Sequence, residues 1–288
     1  MARKDSDRTE DVETTGHDWD GIRELNNPLP KWWLYVLYAC IVWAIVYWIL
    51  YPAWPLVSSY TKGTLGYSQR EVVAEQLEQA NAEKAGYRQK IANSELADIK
   101  ADPELLNFAL AGGAAAFGDN CAPCHGRGAQ GAVGYPNLRD DAWLWGGSLD
   151  DLHQTIQYGI RADHPETRNS QMPAFGRLGM LQPPQINDVA EHVLALSGNA
   201  EDQEAAERGA EMYATNCAAC HGADGTGNRA LGAPNLADEL WLYGGDKASI
   251  VESITNSRSG MMPAWNERLD PATVKELAIY VHSLGGGE

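Results

Sequence analysis

Positive charge is scarce in this sequence. Twenty-two Lys and Arg stand against 39 Asp and Glu, a formal net charge of −17 over 288 residues. Such a chain lacks the basic footprint that nucleic acid requires, which excludes that class of partner. An acidic surface either steers a positively charged partner, mainly through association rate, or only keeps the protein soluble. Cysteine is also sparse. There are five, an odd number, which argues against a framework of paired disulfides. Strand-like alternation does not stand out in the C-terminal two thirds, and no βαβ pattern surrounds any cysteine, which disfavours a thioredoxin-like site. Long charge-free runs are limited to one.

That run is WWLYVLYACIVWAIVYWILY, Trp32 to Tyr51. At 1.5 Å per residue it spans roughly 30 Å, the thickness of a bilayer's hydrocarbon core. Trp32, Trp33, Trp48, Tyr51 and Trp54 gather at its ends as interfacial aromatics do. Pro28 and Pro30 precede it, and Pro52 and Pro55 follow, so the helix should stop at both edges. The run is too long for the apolar region of a signal peptide, and no small-x-small cleavage site follows. Residues 32–54 therefore read as a single transmembrane helix, after an N-terminal segment, 1–31. Cys40 reads as a small apolar residue within it.

Residues 55–103 read as a largely helical linker. Ser68 to Lys100 is rich in helix formers and polar on most turns, and Asp102-Pro103 marks a break. An internal repeat follows, at 104–199 and 200–288. Phe117, Cys121-Ala-Pro-Cys124-His125, Pro136-Asn137-Leu138, Trp143-Leu144-Trp145-Gly146-Gly147 and Met172-Pro173-Ala174-Phe175 make the first copy. Tyr213, Cys217-Ala-Ala-Cys220-His221, Pro234-Asn235-Leu236, Trp241-Leu242-Tyr243-Gly244-Gly245 and Met262-Pro263-Ala264-Trp265 make the second. Helical periodicity opens each copy (Phe108–Phe117, Ala205–Tyr213) and closes it (Ile186–Leu196, Ala272–Leu284). The fold class is all-α.

C-x-x-C-H is a haem-attachment pattern. Two thiols one helical turn apart reach one edge of a porphyrin, and the adjoining His lies under the iron. The predicted cofactors are two haem c, covalently bound through Cys121 and Cys124, and through Cys217 and Cys220. His125 and His221 are the expected proximal iron ligands. A zinc site would need both C-x-x-C units to converge, yet each has its own His and its own downstream Met. Met172 and Met262 occupy matching places, each followed by a Pro that helps fix the loop, and are the expected sixth ligands. Met261 lacks the following Pro. Met180 and Met212 have no counterpart and read as core. Which iron each Met serves stays open, because two packed domains can exchange loops. A ligating His usually gives its other ring N–H to an acceptor, and the Pro136 and Pro234 carbonyls are suited to that role. Trp143 and Trp241 either line the haem crevice or fill the core. His153, His164, His192 and His282 have no ligand context, and His17 belongs to the N-terminal segment. A six-coordinate His/Met iron is suited to electron transfer and closed to substrate. That disfavours a dihaem peroxidase, which needs an open iron, and the chain reads as no enzyme itself.

Each repeat resembles a class I cytochrome c domain: a Gly four residues before an aromatic (Gly113/Phe117, Gly209/Tyr213), then C-x-x-C-H, Pro-Asn-Leu, an axial Met and a closing helix. The first copy departs from it, with His192 and Val193 where the second has Tyr280. The whole chain resembles the dihaem subunit of cbb3-type cytochrome c oxidases, called CcoP or FixP. The residues that carry this are Thr15-Gly16-His17-Asp18-Trp19-Asp20-Gly21-Ile22, Glu24-Leu25-Asn26, Pro28-Leu29-Pro30-Lys31-Trp32-Trp33 and Tyr51-Pro52-Ala53-Trp54-Pro55. The resemblance implies a transmembrane helix followed by two tandem class I cytochrome c domains. It implies electrons taken from a donor cytochrome c and passed to a monohaem cytochrome c subunit. From there they go to a catalytic haem-copper subunit, which reduces oxygen and pumps protons. Covalent haem attachment in bacteria takes place outside the cytoplasmic membrane. An inner-membrane protein with a cytoplasmic N-terminus and periplasmic haem domains is therefore expected. A free-standing membrane dihaem cytochrome, serving another dehydrogenase or reductase, is the alternative.

Overall fold

The computed structural model describes residues 13–286. Residues 1–12 of the N-terminal segment and 287–288 of the second repeat lie outside the described residues. The chain divides into two compact units, 1–81 and 82–288, each described by itself.

The first unit contains a hairpin, β1 (Thr14–Trp19) and β2 (Ile22–Leu25), paired antiparallel with Trp19 opposite Ile22. Asp20 and Gly21 form its turn with φ of 51° and 88°. Asp-Gly favours such a two-residue turn because both positions need positive φ. The Asp18 carboxylate accepts a 2.7 Å bond from the Gly21 N–H. This hairpin adds to the sequence reading, which saw only a polar, Pro-broken segment there. The apolar run forms α1 (Lys31–Leu50), with no buried residue and a mean hydropathy of 2.1. It is long and apolar enough to cross a membrane. It ends at Leu50 because Tyr51 precedes Pro52 and takes an extended conformation (φ −116°, ψ 162°).

The linker becomes α2 (Gln69–Asn93), of which only Ile91 is buried, then α3 (Leu96–Ala101). Asp102 and Pro103 begin the next helix rather than merely breaking the last. In α4 (Pro103–Asn120), Asp102 caps the Glu104 and Leu105 N–H groups, and Pro103 takes the first turn, where no donor is needed. One turn, α5 (Ala122–His125), carries the first C-x-x-C-H. After it come α6 (Leu149–Tyr158) and α7 (Pro183–Leu196). The second repeat runs through α8 (Gln203–Asn216), α9 (Ala218–His221), α10 (Lys247–Asn256) and α11 (Pro271–His282).

The closing helix of each repeat packs on the opening helix of the other. α11 lies on α4 and α6, and α7 lies on α8 and α10. Gly113 marks one crossing: a Cβ there would collide with the Glu276 carbonyl. Gly209 marks the other, against the Asp188 carbonyl. The aromatic pairs follow the same exchange. Phe117 meets Tyr280 with tilted rings (5.5 Å between centroids), as Tyr213 meets His192 (5.0 Å). The 199/200 sequence boundary thus falls in the short connection between α7 and α8, inside one helix pair.

Two apolar cores result. The first joins Leu105, Phe117, Leu152, Ile156, Leu277 and Ile279, with Cys121 and Met262 packed on it. The second joins Ile186, Val189, Val193, Tyr213, Cys217, Ile250 and Ile254, with Met172 and Trp241 packed on it.

Candidate functional site

Each C-x-x-C-H turn is made the same way. The Cys121 carbonyl accepts from the N–H groups of Cys124 and His125, and the Cys217 carbonyl from those of Cys220 and His221. Gly126 and Gly222, at φ of 80° and 81°, end the turn. The chain then loops back so that the His125 carbonyl accepts from Gly131 N–H and the His221 carbonyl from Gly227 N–H. These loops bring the Pro carbonyls home: His125 Nδ1 donates to Pro136 O, and His221 Nδ1 to Pro234 O, both at 3.0 Å. Nε2 of each ring is thereby the atom left to bind, in the neutral tautomer a metal needs. Burial holds both imidazoles below the usual histidine range, opposed by those same carbonyl bonds.

The Pro-Asn-Leu landmark now has a physical basis. Pro supplies the acceptor. The Asn137 and Asn235 side chains cap the next turn, through Arg139 N–H and Ala237 N–H. Leu138 and Leu236 pack on the first and second cores. The Trp-x-x-Gly-Gly landmark is a packing device, since a Cβ on Gly147 or Gly245 would meet the ring of Trp143 or Trp241. The Trp143 indole also donates to the Gly286 carbonyl.

Cys121 and Cys217 are turned inward, while Cys124 and Cys220 are exposed. Burial, then the neighbouring cysteine, pushes both inner thiols up to about 11, so the unlinked thiols are protonated at neutral pH.

The two methionines sit crosswise. A cavity of about 230 Å³ is lined by Met172 of the first repeat together with Cys217, Cys220, His221 and Tyr213 of the second. Met262 of the second repeat packs in the core that holds Cys121 and Phe117 of the first. Hydrogen bonds fix the arrangement: the backbones of Met262 and Ile160 exchange N–H···O bonds of 3.0 and 2.9 Å, and the Ser257 side-chain Oγ donates to Met172 O at 2.5 Å. Met261 is 67% exposed, whereas Met262 packs on the first core. Met212 packs on the second core, but Met180 is 52% exposed and is not the core residue expected, because it lies in the turn before α7 rather than on a helix face.

The walls suit a large flat apolar group. Val189, Val193, Ile250 and Ile254 close the second cavity, with one free imidazole nitrogen and one thioether inside it. A second space, about 620 Å³, lies where the two repeats meet and is lined by Pro136, Asn137 and Trp143 with Pro234, Asn235 and Trp241. Trp241 lines the cavity of Met172 and His221 and also packs on the second core, while Trp143 packs on the first core and lines the space between the repeats.

Comparison with known proteins gives the family. Residues 11–58 match the N-terminal domain of cytochrome oxidase-cbb3, FixP, and residues 108–193 and 204–281 match cytochrome c oxidase, cbb3-type, subunit III. The chain is 55% identical to the cbb3-type cytochrome c oxidase subunit CcoP of Azospirillum brasilense, over the full length of both. It is 56% identical to the subunit FixP of Azorhizobium caulinodans, over 96% of this chain and 94% of that one. It is 52% identical to CcoP of Cereibacter sphaeroides, over 96% and 95%. With its apolar N-terminal helix and two c-type cytochrome domains, which imply haem c, the chain belongs to the CcoP/FixP family, the electron-transfer subunit III of cbb3-type cytochrome c oxidases.

Proposed function

We propose that this chain carries two covalently bound haem c groups, each held by both repeats. Cys121 and Cys124 attach the first, with His125 and Met262 as axial ligands. Cys217 and Cys220 attach the second, with His221 and Met172 as axial ligands. The observation that carries the crosswise assignment is Met172 in the cavity of His221, with Met262 in the core of Cys121. When bound, each haem supplies a one-electron ferric/ferrous couple, which the Met thioether biases toward the reduced state. The residues do the rest. Pro136 and Pro234 hold each imidazole in one tautomer, Val189, Val193, Phe117 and Tyr213 exclude water, and the Met-Pro loops close the sixth position to substrate.

In this reading the anchor α1 lies in the bacterial inner membrane, with the haem units on the periplasmic side and the N-terminus cytoplasmic. Electrons arrive from a donor cytochrome c and leave for a monohaem subunit and a haem-copper catalytic subunit, where oxygen is reduced. Purification on a tag fused to this chain should bring down a haem-copper subunit and oxygen uptake with reduced cytochrome c. Their absence overturns the assignment to an oxidase. The ligand address is tested in a variant lacking the first haem, Cys121→Ser/Cys124→Ser. There Met172→Leu should abolish the charge-transfer band of Met-ligated ferric haem and Met262→Leu should leave it. The reverse result refutes the crosswise ligation.

A further inference from the structure

The two methionine loops are reached by one side chain. Arg161 stands just past the end of α6, in a stretch the second repeat lacks. From the residue that ends α6 (Gly159) to Met172 is 13 positions; from its counterpart after α10 (Ser257) to Met262 is five. The extra chain is closed at its base by an Arg161 N–H bond to Arg168 O, 2.8 Å. Arg161 Nε donates to Gly260 O at 2.7 Å, and its Nη1 to Ser170 O at 2.9 Å. Gly260 and Ser170 each stand two positions before a methionine, Met262 and Met172. One planar guanidinium therefore grips both loops at equivalent points.

The backbone is bent to allow it. Arg161 has φ of 51°, the left-handed region that a long side chain enters only at a cost. The same residue lines the cavity of Met172 and His221, so its fixed positive charge faces the second iron site. A lysine cannot copy this. Its ammonium is a point charge on a flexible stem, without the rigid fork that spans two acceptors.

We propose that Arg161 is a positioning residue that fastens both methionine loops at once, coupling the hold on the two irons, and that its charge raises the potential of the second haem. The proposal rests on the His/Met ligation argued above. A second contact separates its effect from ordinary loop packing. His164, within the stretch that leads to Met172, meets Asn266, four positions after Met262, at 3.0 Å, and its other hydrogen bonds stay local, to the Glu166 and Thr167 N–H groups.

The test uses the full-length haem-loaded protein, with imidazole as the competing ligand followed through the Met-ligation bands, and redox titration of both haems. Arg161→Gln should let imidazole displace methionine at both irons at about tenfold lower concentration, the loss expected for charge-assisted hydrogen bonds. It should also lower the potential of the second haem. Arg161→Lys should keep that potential near wild type while remaining sensitive to imidazole at both sites. His164→Ala should sensitise the first iron alone. Unchanged imidazole midpoints in Arg161→Gln, or a change at only one iron, overturns the coupling; where that variant fails to load haem, Arg161→Lys decides by the same criterion. Failure of the ligation reading looks different, because wild type itself would then show no Met-ligation band to displace.

Discussion

Replacing Glu276 by Gln should flatten the dependence of stability on pH across the acid-to-neutral range. Glu276 sits on α11 at its crossing with α4, only 2% exposed, and its Oε1 has no hydrogen-bond partner. Its carboxyl lies over Gly112. The equivalent place in the other helix pair is occupied by Asp188, which has Arg208 as a partner at 2.8 Å. Here the position of that arginine is a glycine. Arg88 attracts the carboxyl, but its guanidinium is spent on Asp270 and Thr273, and Lys84 attracts it less. Burial pushes the Glu276 carboxyl from 4.5 to about 7, with Asp270 adding to the rise and Arg88 and Lys84 opposing it. Below pH 4.5 the folded and unfolded chains both hold the proton. Between 4.5 and about 7 the unfolded chain releases it and the folded chain keeps it, so stability falls as pH rises. Above 7 the loss is constant, at most roughly 3 kcal/mol. In a unit of this size that is about 6–12 °C of melting temperature. Urea unfolding of the detergent-solubilised haem-loaded protein at pH 4 and pH 8 measures it. Wild type should lose roughly 3 kcal/mol more than Glu276→Gln between those values. Equal pH dependence in the two proteins would refute the account of Glu276 as a buried, unpartnered acid.

Four further changes test the packing. Gly113→Ala and Gly209→Ala should each cost about 1–3 kcal/mol or more, because the new methyl meets a backbone carbonyl that cannot swing aside; thermal melts with haem content check this. Tyr213→Phe removes the 2.9 Å bond to Gly222 O and should cost about 1 kcal/mol by urea midpoint, while leaving a ring like that of Phe117 in the first core. Lys247→Met strands the buried Glu191 carboxylate, which Lys247 meets at 2.7 Å, with only the Glu201 and Asp202 N–H groups to serve it. About 2 kcal/mol of destabilisation at neutral pH is expected, and it should shrink on acidification, since those same partners hold Glu191 below the usual carboxylate range.

The half of each site that comes from one short stretch was legible in the sequence. C-x-x-C-H, the Pro acceptor and the aromatic four residues after Gly all act within about two helical turns and one loop, so spacing alone reports them. The helices α6 and α10 were not seen. Each is ten residues long and buries two residues a helical turn apart, Leu152 and Ile156 or Ile250 and Ile254, a short apolar spacing that the reading passed over. Their N-caps, Ser148 and Asp246, were the other available sign. The exchange of closing helices was invisible for another reason. α7 and α11 have similar apolar faces, and both opening helices offer a glycine notch, so pattern matching cannot choose between own and crossed pairing. Arg161 was missed because it lies where the repeats do not align.

What decides the pairing is a charge. Counting from the residues whose carbonyls face the glycine notches, Asp188 and Glu276, position 191 on α7 corresponds to position 279 on α11. Ile279 is apolar; Glu191 is a carboxylate with no exposed surface. Among the described residues, the hydrogen-bond and ion-pair partners of the Glu191 carboxylate come from the second repeat: Lys247 and the N–H groups of Glu201 and Asp202. Moving α7 onto α4 would bury that carboxylate away from all three, a loss of several kcal/mol. A chain ending at Gly198 is therefore expected to be incomplete rather than a free cytochrome domain. It lacks α11, whose Val274, Leu277, Ile279 and Val281 are buried in the first core and together contribute on the order of 6–12 kcal/mol, comparable to the net stability of a whole domain. It also lacks Met262. The expected product is a haem without native Met ligation and with an early urea transition. Co-expression of residues 199–288 should restore both the ligation band and the stability. If the fragment alone shows native Met ligation and stability, α7 can replace α11 on α4, and the partners of Glu191 do not enforce the crossed pairing.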